Sequence, residues 1–209
     1  MKLAIFGATG RTGLALVQQA LDQGHEVFAL VRTPAKMLIR HDCLHLIQGD
    51  ALNAADVART IQGTEAVLNT IGHLKGAPDN LQQVAMQHIM DAMHKYQVRR
   101  IINLIGAGIG DANDRPKLVD HVFKFVLKTF APKLAKDVTA SANMLRESKL
   151  DWIIVRVPRL LDKPYTGKYR IGWVDINSST TIARADAADF MLKQLTDTTY
   201  LHQAPMISD

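Results

Sequence analysis

Four apolar residues, Leu3-Ala4-Ile5-Phe6, run directly into Gly7-Ala8-Thr9-Gly10-Arg11-Thr12-Gly13, and no other stretch constrains the fold as tightly. The apolar run has the character of a parallel strand buried on both faces. Leu14, Val17 and Leu21 then recur at helical spacing until Gly24 offers a stop. The glycines therefore fall on a strand-to-helix turn. Each suits a place where a side chain would obstruct: Gly7 the sharp turn, Gly10 the approach of backbone to a pyrophosphate, Gly13 the packing of helix on strand. Free N–H groups of the first helical turn would face the phosphates, with the helix dipole favouring negative charge. The spacing is G-x-x-G-x-x-G, and its place after a strand and before a helix supplies the context that a bare glycine pattern lacks. It reads as a dinucleotide cradle of Gly7, Thr9, Gly10, Arg11, Thr12 and Gly13, with an ordinary glycine-rich turn as the alternative.

Strands and helices alternate through the rest of the chain. Strands are expected over 25–31, 43–50, 66–72, 100–105, 150–157, 172–176 and 204–207. Helices are expected from 78 to 96, 118 to 127, 135 to 148 and 186 to 195, with a short one opening at Ala54. That alternation is the signature of a parallel α/β sheet with helices on both faces. Met86, Met90 and Met93 fall within the apolar spacing of the helix through 81–96 and read as packing. The 118–127 helix is apolar over more than one face, which suits a lid, a subunit contact or a plain core helix. At 209 residues, without repeats or linkers, the whole of 1–209 is expected to be one domain.

The end of the second strand bears on cofactor choice. An NAD site places an acidic side chain about 20 residues after the glycines, to accept from the ribose 2′-OH. Here Arg32 and Thr33 occupy that place, with Lys36 a turn further on. A guanidinium pairs with a 2′-phosphate where a carboxylate would repel it. NADP(H) is therefore preferred, with NAD(H) left open; the alternative has Arg32 stacking on adenine or facing water. Ligands of doubly wound sheets gather at the carboxyl ends of the strands, so Thr70, Ile71, Gly72 and His73 should border the nicotinamide. His73 is an acid–base candidate, or else a solvated loop histidine.

Gly7 to Gly13, together with Leu30-Val31-Arg32, Gln48-Gly49-Asp50 and Leu145-Arg146-Glu147-Ser148, resembles the atypical short-chain dehydrogenase/reductases of the NmrA-like and NAD(P)H-flavin reductase (biliverdin reductase B-like) type. The resemblance spans nearly the whole chain. It implies a Rossmann-type doubly wound sheet with a small C-terminal substrate-side extension, substrate-side elements within 106–135 and 157–180, and Asp50 beside the adenine. In such enzymes the exit of strand five often carries a Ser or Thr near the nicotinamide, and classical members add a Tyr-x-x-x-Lys pair. This chain has Gly106 at that exit and no Tyr-x-x-x-Lys anywhere. A tyrosinate-based alcohol dehydrogenase mechanism is thus not expected. The expectation is an NADPH-dependent reductase of a flavin, quinone or similar conjugated acceptor; the alternative is an NmrA-like cofactor sensor without turnover. Pro158, Arg159 and Lys168 are substrate-side candidates, and Tyr165 joins His73 as an acid–base candidate. Lys163, Tyr165, Lys168, Tyr169 and Arg170 are expected on a loop over the site, where cations would favour an FMN-like anion.

Composition narrows the partners. The net charge of +5 arises from basic residues scattered among acids, and no nucleic-acid motif accompanies it, so no nucleic-acid partner is expected. The apolar run after Met1-Lys2 breaks at Gly7 and no stretch is long enough to span a membrane, so the cytoplasm is the expected compartment, with a monomer or homodimer. The single cysteine excludes an internal disulfide. His41, Cys43 and His45 would share one face of an extended strand, yet a buried Cys with two rim histidines is the expected outcome, and no metal site is assigned.

Overall fold

The structure, a computed structural model, describes residues 1–73, 76–115 and 131–209. The helix expected over 118–127 lies outside the described residues. Strand β1 (Lys2–Phe6) sits inside an eight-stranded sheet, and Leu3 to Phe6 are wholly shielded from solvent. Its neighbours are β2 (Glu26–Val31) and β4 (Ala66–Asn69); β3 (Leu44–Gln48) lies beyond β2. On the other side β5 (Arg100–Gly106), β6 (Asp151–Val157), β10 (Met206–Ser208) and β8 (Arg170–Gly172) follow β4 in that order. All pairings are parallel except that of β10 with β8. The order β3-β2-β1-β4-β5-β6 reverses direction between β1 and β4, the switch point of a Rossmann-type sheet.

Alternation along β1 divides the core. Leu3 and Ile5 pack with α1 (Arg11–Asp22) and α5 (Arg184–Lys193), while Ala4 and Phe6 pack with α2 (Ala54–Ile61), α3 (Leu81–Tyr96) and α4 (Pro132–Arg146). Met86 and Met93 are fully buried in the second layer and Met90 packs against it, as their helical spacing required. Burying side chains of this size contributes about 1.5–3 kcal/mol each before entropy is counted. Asn53 caps α2 by accepting from Ala55 and Asp56 N–H. The start of α3 is closed by a residue from another helix: Asp137 of α4 accepts from Gln82 and Gln83 N–H, both at 2.9 Å.

Several boundaries differ from the sequence reading, two of them for a reason visible in the hydrogen bonds. The strand expected to run to Gly72 ends at Asn69, because Thr70 N–H and Oγ1 both donate to the Phe6 carbonyl at 3.0 Å and turn the chain across the end of β1. The strand expected over 172–176 instead ends at Gly172; Trp173 and Ile176 close a two-residue turn with reciprocal backbone bonds, and Asp175 adopts a φ of 61°. Cys43 precedes β3 and is exposed, against the buried cysteine expected. His45 stacks on Phe28 with ring centroids 4.7 Å apart and bonds Glu26 at 2.9 Å. Strands β7 (Arg159–Leu161) and β9 (Thr181–Ala183) pair in a separate parallel ribbon, too short to leave a periodicity in the sequence.

Candidate functional site

The glycine turn is built as a cradle. Gly7 has φ +75° and lies against the Thr70–Ile71 peptide, where a Cβ would come within 2.8 Å of three backbone atoms. A Cβ on Gly13 would overlap the Gly7 carbonyl oxygen. At Gly10 the constraint is different: φ is −72°, open to any residue, and a Cβ would meet only the Gly7 oxygen, at 3.1 Å. A Cβ there is tight without being excluded, so the turn demands glycine less at 10 than at 7 and 13. Gly10 is also the residue preceding α1, contributes no side-chain oxygen to the helix's first N–H groups, and no acid lies in that turn. This arrangement fits a pyrophosphate. Thr12 and Gly13 are buried beneath the turn, and Thr9 lies partly exposed on it.

Arg11 opens α1 and meets Asp162 at 3.0 Å, while Arg184, which opens α5, meets the other oxygen of Asp162 at 2.7 Å. The sequence reading missed Asp162 and Arg184, which are 151 and 173 residues away from Arg11. With Arg11 and Asp162 at 71% and 61% side-chain exposure, their contact is worth under about 1 kcal/mol. It ties the loop after β7 to the cradle.

Val31 of β2 pairs with Gln48 of β3, so Arg32 and Thr33 leave one strand beside Gly49 and Asp50 leaving the next. Arg32 is exposed and makes no ion pair among the described residues. Asp50 shapes its own turn: its Oδ1 accepts from Leu52 N–H at 3.0 Å, and its N–H donates to Asp56. One face of Asp50 thus orders the β3–α2 turn. Beyond β4, Ile71 N–H donates to Asn69 Oδ1, and Asn69 Nδ2 donates to Asn103 Oδ1 at 2.8 Å across the paired strands. Both asparagines are buried. This pair, also absent from the sequence reading, fixes the Thr70–Ile71 ledge against which Gly7 packs. Gly72 and His73 are exposed beyond it.

At the exit of β5, Gly106 is exposed and a Cβ there would meet nothing within 4 Å. No backbone constraint demands glycine; the site simply lacks a hydroxyl. Pro158 follows β6, and Arg159, exposed, opens β7.

The loop of residues 165–169 is fastened to α5. Asp186 is fully buried and accepts from Thr166 N–H, Thr166 Oγ1 and Gly167 N–H. Asp189 accepts from Tyr165 at 3.4 Å and Tyr169 at 2.8 Å. Tyr165, proposed from sequence as an acid–base candidate, thus directs its hydroxyl at α5. Arg170 lies on β8 at the sheet's outer edge, and Lys168 is exposed on the fastened loop. Tyr169 also meets Lys193 at 3.1 Å, a Tyr–Lys contact 24 residues apart that no local motif could reveal. Burial, and then the Asp189 carboxylate, push the Tyr169 phenol well above its ordinary value, and Lys193 opposes only in part. The ring stands edge-on to Phe190, in the core beside α1. That environment is the reverse of an activated tyrosinate.

The two stretches expected on the substrate side, 106–135 and 157–180, meet where Val174 N–H donates to Asp114, and Asp114 is held there by a buried ion pair from β6. Arg156 of β6, fully buried, donates to both oxygens of Asp114 at 2.8 and 2.7 Å and to the carbonyls of Ile109 and Ala204. Asp114 also accepts from Asp111 and Val174 N–H. Burial, the largest single influence, would raise its pKa, but the Arg156 guanidinium and the N–H groups of Asp111 and Val174 together outweigh it and hold the carboxyl below its ordinary range. Among the described residues no group of three His, Cys, Asp or Glu side chains could hold a metal, and no helix is long and apolar enough to cross a membrane.

Against known proteins, residues 7–198 match a family model described as NAD(P)H-binding. The chain is 24% identical over 203 residues to the uncharacterized protein YwnB of Bacillus subtilis, covering 93% of this chain and 92% of that one. A chloroplastic uncharacterized protein of Arabidopsis thaliana is 25% identical over 203 residues, covering 93% and 71%. Among solved structures, a short-chain dehydrogenase/reductase of Veillonella parvula in complex with NADP superposes with a TM-score of 0.82 at 18% identity, covering 100% of this chain and 94% of that one. The oxidoreductase ylbE of Lactococcus lactis does so with 0.82 at 18%, covering 100% and 91%. At such identities the likeness to these structures establishes the fold alone.

Proposed function

The chain belongs to the NAD(P)H-binding family, and from that premise we propose that it is an atypical short-chain dehydrogenase/reductase, an NADPH-preferring reductase of a flavin, quinone or similar conjugated acceptor. Gly7 to Gly13 and the start of α1 hold the pyrophosphate; Arg32, with Lys36 nearby, takes the 2′-phosphate; Asp50 borders the adenine. The Thr70–Ile71 ledge, braced by Asn69 and Asn103, carries the nicotinamide end. When bound, the reduced nicotinamide supplies a hydride.

One observation carries the choice of acceptor: the carboxyl edge offers no positioned tyrosine. Tyr165 and Tyr169 are committed to Asp189. Tyr96 ends α3, and Tyr200 packs near Phe190 close to the start of β6, both at the opposite edge of the sheet. With glycine at 106, this edge is suited to orienting two rings and excluding water between them, and less to delivering a proton. A conjugated acceptor tolerates that, because its reduced form is a delocalised anion that solvent can protonate. The same absence would suit a cofactor sensor of the NmrA type.

Oxidation of NADPH in the presence of FMN, riboflavin or a quinone tests the proposal. Turnover with these acceptors and none with simple ketones is expected. Tight cofactor binding with no acceptor reduced, together with a partner whose affinity differs between NADP+ and NADPH, would replace it with the sensor reading.

A further inference from the structure

The turn that carries Asp50 from β3 into α2 is tied at almost every polar atom. Asp50 N–H donates to Asp56 Oδ2 at 2.9 Å, its carbonyl accepts from Asn53 N–H at 2.9 Å, and its Oδ1 accepts from Leu52 N–H at 3.0 Å. Asp56 is held in turn by Arg59 at 2.8 Å, and it lies so close to Gly49 that a Cβ there would overlap its side chain. Among the described residues the remaining Asp50 oxygen, Oδ2, has no hydrogen-bond partner. The turn thus presents one carboxylate oxygen.

What aims that oxygen lies on another element. His88, midway along α3, places Nδ1 3.0 Å from the carbonyl of Ala51, 37 residues away in the chain. A carbonyl only accepts, so Nδ1 carries the proton and donates. The peptide joining Ala51 to Leu52 is planar and trans, so its C=O and N–H point in opposite directions. His88 holds one end of it and Asp50 Oδ1 the other. Rotating that peptide would break both bonds at once. Ala51 also packs against the core layer of Met86, Ile89 and Met93, which keeps the turn seated on α3. His88 is half-buried and makes no other hydrogen bond among the described residues.

We propose that His88 is a positioning residue that sets selectivity for the cofactor's base. By fixing the Ala51–Leu52 peptide it commits Oδ1 of Asp50 to the turn and leaves Oδ2 to accept from the exocyclic amine of adenine. Adenine beside Asp50 is the part of the proposed function on which this rests. Without the His88 donor the Ala51 carbonyl turns to water, Leu52 N–H no longer holds Oδ1, and the carboxylate swings off the base. A hydrogen bond to a charged acceptor is at stake, which corresponds to about tenfold or more in affinity.

Calorimetric titration with NADPH and with its hypoxanthine analogue, which carries a carbonyl in place of the adenine amine, tests this without any acceptor. The intact protein should bind NADPH about tenfold more tightly than the analogue. His88→Ala, and His88→Phe, which keeps a ring and removes the donor, should weaken NADPH by about tenfold and the analogue little. His88→Asn, whose side-chain amide offers an N–H in the place of imidazole Nδ1, should restore the preference. A histidine that only fastened the helix to the turn would weaken both cofactors alike. Equal losses for the two cofactors, or no loss, in His88→Ala and His88→Phe overturn the role of His88. Asp50→Ala separates that failure from a failure of the reading beneath it. If Asp50→Ala loses the preference for NADPH, adenine stays assigned to Asp50 and only the His88 variants decide; if it keeps the preference, adenine does not meet Asp50 and the role of His88 falls with it.

Discussion

Arg32 leaves β2 beside the residues that leave β3, and its guanidinium is exposed. A phosphate brought there would form a charge-assisted fork, whereas a ribose hydroxyl would gain little from it. Arg32→Glu should therefore weaken NADPH by about 2 kcal/mol or more, roughly thirtyfold in affinity, and leave NADH far less affected. Calorimetric titration with both cofactors checks this; equal losses would mean that Arg32 does not read the 2′-phosphate. At this scale the sequence was informative where chemistry follows from local order. Gly7, Gly10 and Gly13 could be assigned their separate places because a strand-to-helix turn imposes them within seven residues. Asn69 and Asn103 could not, because their contact depends on the register of β4 on β5, and nothing local distinguishes either from an ordinary strand residue.

Among the elements, α5 carries more than its place in the core. Its Asp186 and Asp189 hold the loop of residues 165–169, which fastens Lys168 beside α5 and leads Arg170 onto β8 at the outer edge of the sheet. Tyr169 reports on that attachment. Its phenol, normally near 10, is raised in the folded protein, so folding favours the protonated form. The resulting stabilisation is complete below about pH 10 and is lost as pH rises from there toward the folded-state value. Lys193, raised chiefly by Asp189, acts in the same direction. The urea midpoint of the wild type should thus fall more steeply than that of Tyr169→Phe between pH 9 and pH 11, and parallel curves would show that folding does not raise the phenol. Element boundaries were legible where apolar period and turn residues coincide, as in α1 and at the end of α3. They failed at Thr70 and Trp173, where hydrogen bonds to a distant strand or between turn residues override local propensity.

For the molecule as a whole, the alternation of strands and helices was enough to foretell a doubly wound sheet, since each buried parallel strand must be followed by a helix that returns the chain across one face. What joins the helices to one another was not legible. Asp137 and the start of α3 are over fifty residues apart, and an aspartate within a helix gives no sign of which neighbour it serves. Its placement bears on how the molecule opens. Amides in the first turn of a helix ordinarily exchange with solvent hydrogen almost freely, yet those of Gln82 and Gln83 are covered by a carboxylate that only α4 can supply. Their exchange should be slow and should require α3 and α4 to part. In Asp137→Asn, which halves the acceptor capacity, these two amides should exchange markedly faster while the middle of α3 keeps its protection; unchanged rates at both would show that the helices are not joined there. Deuterium uptake at two backbone positions thus times the separation of one helical layer from within, without any probe at the cofactor cradle.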